Sequence, residues 1–307
     1  MGEHTDDVDV NPARDSLPVY SPSPGGDGTG DEPGADHRFD PPEQRGAPPP
    51  ELARANPARM YDYYLGGQAN FKVDRQVAEQ VIAVYPGIVA AARANRAFLA
   101  RAVRYLLDQG IDQFLDLGSG IPTVGNVHQI AQAVTPAARV VYVDIEPVAA
   151  AHATGMLAGN PNAAVIRADL TEPETILGRR NLHGLIDLSR PVGVLMVSVL
   201  VFVPDEKDPA GVVAAYRDAI SPGSYLAVSH GYRDPGTDMP GVRDAEAVYQ
   251  HTTSPTTLRT RAQITGLFTG FELVAPGLVP VTAWHRSTPD TATSTAVPVL
   301  AGVARKP

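Results

Sequence analysis

Phe114-Leu115-Asp116-Leu117-Gly118-Ser119-Gly120 is a short apolar run that ends in an acid and a Gly-x-Gly turn. Such a stretch predicts a buried strand followed by a sharp reversal of the chain. Glycine reaches positive φ at little steric cost and leaves no Cβ between backbone and ligand. Taken alone, the D-x-G-x-G pattern fits a ligand-binding loop or an ordinary strand-to-helix turn.

Toward the C-terminus the pattern repeats. Apolar runs at 113–117, 140–144, 163–168, 192–199, 225–229, 271–274 and 297–303 alternate with helical stretches, including 124–134, 148–157, 210–219 and 243–253. This alternation predicts an α/β fold, a seven-stranded, mostly parallel sheet with helices on both faces. Right-handed crossovers would bring the strand C-termini to one edge, where ligands bind. Toward the N-terminus, Asn56-Pro57 is a helix start and Gly66-Gly67 a stop. Helices are expected at 73–85 and 88–109, broken by Pro86-Gly87. Residues 51–110 then form a helical lid region and 111–307 a Rossmann-like core.

Composition narrows the function classes. The 307-residue chain has no cysteine, which excludes disulfides, thiolate metal sites and a cysteine nucleophile. No His spacing suggests a metal site, and no phosphate-binding G-x-x-x-x-G-K-[ST] loop occurs. Residues 1–50 hold eleven acids against three arginines, together with ten prolines and seven glycines. They account for nearly all of the net charge of −9 and predict a disordered acidic tail. The remainder is close to neutral, without the basic excess of a nucleic-acid-binding face. The longest apolar stretch, 192–203, is too short to span a bilayer, and no secretory signal is visible. A cytoplasmic location is the default expectation.

Two more acids follow the first. Asp144 closes the second run and Asp169 follows the third. An acid in the place of Asp144 can accept from both ribose hydroxyls of a nucleoside; it can also cap the helix starting near Pro147. Asp169 can accept from an adenine amino group or cap the helix that follows. The third glycine of a dinucleotide fingerprint is missing, since Pro122-Thr123 stands there, and no Lys or Arg in the turn meets a phosphate. An acidic, glycine-lined turn suits a cationic amino-acid ligand. S-adenosylmethionine carries an ammonium, a ribose and an adenine, which the three acids could serve in turn.

From Asn56 to Pro307 the chain resembles class I S-adenosylmethionine-dependent methyltransferases, in the form found in an actinobacterial family formerly described as a domain of unknown function. The likeness rests on Asn56-Pro57-Ala58-Arg59-Met60-Tyr61-Asp62-Tyr63-Tyr64-Leu65-Gly66-Gly67, Asn95-Arg96-Ala97-Phe98-Leu99 and the 114–123 segment. It continues through Gly125-Asn126-Val127-His128, Val141-Tyr142-Val143-Asp144, Phe202-Val203-Pro204-Asp205, Ser229-His230 and Pro276-Gly277-Leu278-Val279. It implies a Rossmann-like methyltransferase fold with S-adenosylmethionine as cofactor. Asp116, Gly118 and Gly120 would hold the methionine end, Asp144 the ribose, and Asp169 with Leu170 the adenine, with Ser119 and Ile145 as further cofactor-binding residues. The helix at 61–65 and the turn after it would form the N-terminal lid.

In that family the segment after the fourth strand reads Leu-His-Phe-Val-Pro-Asp; here Val201 replaces the His. His230 and Asp205 are then the candidate proton acceptors, for a small-molecule methyl acceptor. His128 reads as a packing group. Tyr61, Tyr63 and Tyr64 read as core or as a sandwich for substrate or adenine. Two other functions stay open on the sequence: a non-catalytic S-adenosylmethionine-binding or interaction protein, and a nicotinamide-dependent oxidoreductase.

Overall fold

A computed structural model describes residues 52–122, 125–236, 239–285 and 297–307. The expected tail at 1–50 and Thr123 lie outside the described residues.

Three helices lead: α1 (Pro57–Tyr64), α2 (Lys72–Val84) and α3 (Ile88–Asp108). The core then runs β1 (Gln113–Leu117), α4 (Val127–Val134), β2 (Arg139–Asp144), α5 (Pro147–Met156), β3 (Ala163–Arg167), α6 (Pro173–Leu177) and α7 (Arg180–His183). It continues with β4 (Gly193–Val197), α8 (Pro209–Ala219), β5 (Tyr225–Gly231), α9 (Val242–Tyr249), α10 (Arg261–Gly266), β6 (Glu272–Leu273), β7 (Val279–Pro280) and β8 (Val299–Arg305).

The strands lie in the order β3-β2-β1-β4-β5-β8-β6, and β7 also pairs with β8. Pairs among β1 to β5 are parallel, and β8 runs antiparallel to β5. Eight strands replace the expected seven among the described residues. β6 and β7 pair with the same strand at successive places, β6 at Ala304–Arg305 and β7 at Leu300–Ala301. They form one interrupted edge, so the sheet is still seven strands wide. Val279-Pro280 has too few residues to show a periodicity, which is why the sequence did not reveal it.

Alternate residues of each strand feed the two faces of the sheet. Phe114, Val140 and Leu195 pack on one side; Leu115, Leu117, Val143 and Met196 pack on the other. The lid expected over 51–110 divides. Phe98, Ala102 and Leu106 of α3 pack in the same cluster as Phe114 and Leu195, so this part of α3 packs on the sheet, while Ala92 near its start joins the cluster of the cover. Trp284 is buried there as well, edge-on to Phe98 at 5.4 Å. A third cluster joins Met60 and Tyr64 of α1 with Val81 of α2 and Val242, Ala245 and Tyr249 of α9. The cover over the sheet is therefore α1, α2, the start of α3 and α9. The last comes from nearly two hundred residues further along the chain, a distance no local pattern reveals.

Asn56 caps α1 by accepting from Ala58 N at 2.8 Å, with Pro57 in the first turn, as its sequence predicts. The cover is tied down by a buried ion network. The Arg59 guanidinium, inaccessible to solvent, donates to Asp74 (Nε–Oδ2 2.8 Å), to Glu146 (Nη1–Oε1 2.6 Å) and to the Arg54 carbonyl (2.7 Å). Asp74 also takes the backbone N–H groups of Asn56 and Phe71, both at 2.9 Å. Arg59→Met would strand two buried carboxylates. It is expected to lower the unfolding free energy by about 3–5 kcal/mol, read from urea unfolding curves of unchanged slope.

Candidate functional site

The chain turns after β1 with Gly118 at φ 71° and Gly120 at φ 65°. A Cβ on Gly118 would also lie 2.0 Å from Val199 Cγ2, so this glycine is required by shape as well as by torsion. The turn folds back on the end of β2. Gly118 N and Ser119 N both donate to the Val143 carbonyl, at 2.8 and 3.1 Å. Gly120 N donates to Asp144 Oδ2 at 2.7 Å, and the other oxygen of Asp144 takes Glu146 N at 2.9 Å. Asp144 therefore does not cap α5. Glu146 does, accepting from Ala149 N at 2.9 Å while holding Arg59 with its other oxygen.

A cavity of about 500 Å³ opens at the C-terminal edge of the sheet. It straddles the switch point between β1 and β4, where the strand order reverses. Asp116, Gly118, Ser119, Gly120, Asp144, Ile145, Asp169 and Leu170 all line it, on the β1–β2–β3 side. Ile145 is 57% exposed and supplies an uncovered aliphatic flank.

The three acids sit in different electrostatic settings. Burial raises the Asp116 carboxyl to about 7, against the opposing pull of Arg96 and with a further push from Asp144. Burial also raises Asp144 above the usual carboxylate range, and the N–H groups of Glu146 and Gly120 offset part of that rise. Asp169 is partly desolvated, yet Thr171 N and Oγ1 and the Lys207 ammonium, 2.9 Å away, hold it below the usual range. Asp169 is thus held in a local turn and ion pair; Glu172, not Asp169, precedes α6.

The two candidate proton acceptors lie off the cavity. His230 is fully buried and faces away from it. Its Nδ1–H donates to the Gly231 carbonyl at 2.7 Å, and its Nε2 accepts from Arg259 Nη1 at 2.9 Å. Burial, with the Arg259 charge beside it, lowers the imidazole to about 4. Asp205 points to solvent with its side chain 62% exposed and pairs with Arg259 at 2.6 Å. Both side chains bond to Arg259. Val201, by contrast, stands on the cavity wall.

Sequence reasoning left several wall residues without a role. Asn95 and Arg96 arrive from α3, Ser198 from the end of β4, and Glu246 and Tyr249 from α9. Asn95-Arg96 belongs to one of the family-like motifs, which was the signal that could have found it; the α9 residues carry no local signal. Tyr61 and Tyr64 line the cavity, while Tyr63 turns outward to Glu79. His128 packs on Tyr142 and bonds its hydroxyl at 2.8 Å.

A family model described as S-adenosyl methyltransferase matches residues 47–307. The chain belongs to this family. A structure from Thermobifida fusca, described as a "putative methyltransferase", is 40% identical over 84% of this chain and 98% of its own, with a TM-score of 0.78. A DUF574 family protein from Streptomyces avermitilis is 38% identical over 84% and 99%, also with a TM-score of 0.78. A protein from Bordetella parapertussis, 18% identical over 83% of this chain and 81% of its own with a TM-score of 0.51, shares the fold. No curated protein matches the sequence. The chain is thus an S-adenosylmethionine-dependent methyltransferase, and the nicotinamide reading falls away.

The donor set fits this cofactor. Two desolvated carboxylates beside a glycine turn suit a ligand carrying positive charge. The sign of the Asp116 shift can be tested in the free protein. Its proton stabilises the fold below about pH 4, and that stabilisation is lost as pH rises through about 7. Asp116→Asn, a permanent mimic of the protonated acid, should be more stable than the parent at pH 8 by up to about 4 kcal/mol. The gap should close toward pH 4 in urea unfolding.

Proposed function

We propose that this methyltransferase acts on a small molecule that enters the half of the cavity on the β4–β5–β8 side, beneath α1 and α9. The supporting observation is the division of one cavity. The acids line one side of the switch point, while Val201, Gly231 and Val299 line the other, roofed by tyrosines. Its volume of about 500 Å³ suits small ligands rather than a polymer. The near-neutral folded part gives no reason to expect nucleic acid as acceptor. No single described helix is long and apolar enough to cross a membrane. The cytoplasmic location belongs to this proposal, because small-molecule acceptors and the cofactor are met there.

When bound, S-adenosylmethionine supplies an electrophilic methyl group on a sulfonium leaving group. In this reading Asp116 takes the ammonium, Gly118, Ser119 and Gly120 follow the methionine backbone, Asp144 accepts from the ribose, and Asp169 with Leu170 meets the adenine. Ile145 covers the base. The protein's share of the chemistry is then alignment and exclusion of water, which together can provide about 7–11 kcal/mol. A reading in which the cofactor is bound without transfer is favoured by Val201 alone, and labelled transfer to any acceptor would end it.

Two outcomes are expected. In titration calorimetry Asp144→Ala should weaken S-adenosylmethionine binding by at least tenfold, since each bond to a charged acceptor is worth about 1.5–3 kcal/mol. Unchanged affinity would remove Asp144 from the ribose site. His230→Asn should lower the melting temperature but leave turnover of the folded enzyme within about threefold. A general base would contribute about 10²–10⁴.

A further inference from the structure

The acceptor half of the cavity has a chemistry of its own. Its wall is aromatic: Tyr64, Tyr85, Phe202 and Tyr249 converge there around Val201 and Leu258. The tyrosines are neutral at ordinary pH. Burial raises Tyr64 and Tyr85 above the usual phenol range and Tyr249 to about 12. Tyr64 and Tyr249 pair hydroxyl to hydroxyl at 3.3 Å.

Two residues of the wall carry an enclosed hydroxyl with no such partner. Tyr85 Oη and Thr256 Oγ1 are buried and make no hydrogen bond in the structure. Tyr85 as a whole is 8% exposed. Leaving a buried hydroxyl unpaired costs about 1–3 kcal/mol, a cost that a ligand's polar atoms would remove once either side chain turns toward the cavity. Ser221 and Trp284 also keep a buried polar atom unpaired, but both lie away from this cavity.

Charge is just as one-sided. The cations on the wall, Arg96 and Lys207, belong to the acid end, where they act on Asp116 and Asp169. The acceptor half carries one charged side chain among the described residues, Glu246 of α9, whose outer neighbour is Arg233 at 2.9 Å. A negatively charged acceptor would meet a carboxylate and no cation. A phenol's proton could pass only to Glu246, whose carboxylate already holds Arg233 at 2.9 Å; the tyrosines are protonated, and no histidine lines the described wall.

We propose, on the basis of the methyl-transfer reading, that the acceptor is a flat, uncharged nitrogen compound whose ring lies among Tyr64, Phe202 and Tyr249. Its polar substituents bond to the hydroxyls of Tyr85 and Thr256, and its nitrogen faces the methyl group beside Glu246. The step balances without a base. The nitrogen lone pair forms the new N–C bond, the C–S bond breaks, and its electron pair returns to sulfur as a neutral thioether. The positive charge moves from sulfur to nitrogen, where the Glu246 carboxylate and the aromatic faces stabilise it.

Three bicyclic probes of similar size separate the possibilities: 6-hydroxyisoquinoline, 2,6-dihydroxynaphthalene and 6-hydroxy-2-naphthoate. Each is added to the full chain, with S-adenosylhomocysteine for thermal shift and with methyl-labelled S-adenosylmethionine for transfer. The isoquinoline should raise the melting temperature and accept label on nitrogen at least tenfold faster than the diol accepts it on oxygen. The naphthoate should do neither. Faster labelling of the diol, binding of the naphthoate, or no binding by any probe overturns the proposal. Calorimetry with S-adenosylmethionine alone is run beside it, and a lack of binding there overturns the parent reading instead. Tyr85→Phe should raise KM for the isoquinoline about tenfold with kcat and cofactor affinity unchanged. Glu246→Gln should lower kcat about tenfold. Both variants behaving as the parent would remove these residues from the acceptor site.

Discussion

The Arg59 guanidinium holds the cover and the site in one hydrogen-bonded chain. Its partners Asp74 and Glu146 belong to α2 and to the cap of α5. From Glu146 the connection runs through its own N–H to Asp144, and from Asp144 to the N–H of Gly120. A displacement of α1 therefore reaches the glycine turn through a short series of side chains and backbone groups, with no solvent between Arg59 and its acids. Buried ion networks are poor sources of net stability but costly to break by halves. Here the network sets where the roof stands over the cavity.

The same low-dielectric setting explains the acids. Asp116 and Asp144 are both desolvated, and the Asp144 charge pushes Asp116 up further. Burying like charges together is unfavourable in the free protein and becomes favourable when a cation shares the site. Positive charge placed beside them would relieve that repulsion. Asp169, by contrast, is already satisfied by Thr171 and Lys207.

Arg259 performs the matching task on the other side of the switch point. It donates to the carbonyls of Leu200 at 2.8 Å and Val203 at 2.7 Å, and to Asp205 and His230. This bracket fixes the segment after β4 and so presents Val201 to the cavity. His230 and Asp205 resemble catalytic groups in sequence because they end a strand and flank a motif. In space they are anchors for one arginine.

The sequence by itself determined the strand–turn–helix alternation, the Asn56-Pro57 helix start, the parallel β1–β5 core and the acids at the ends of β1, β2 and β3. These follow from local torsion preferences, hydrophobic period and the topology of right-handed crossovers, all of which act over short stretches. Only the tertiary structure decided that α9 joins α1 and α2 as the roof, that α3 packs on the sheet, that β6 and β7 form one interrupted edge, and that His230 faces Arg259 instead of the cavity. Those outcomes depend on which apolar surfaces and buried charges find partners at long sequence separation, and no local pattern encodes that pairing. The segment Phe114–Gly120 shows both sides. Its residues specified a strand and a turn, but the carboxylate of Asp144, brought across from β2, decided how that turn is held.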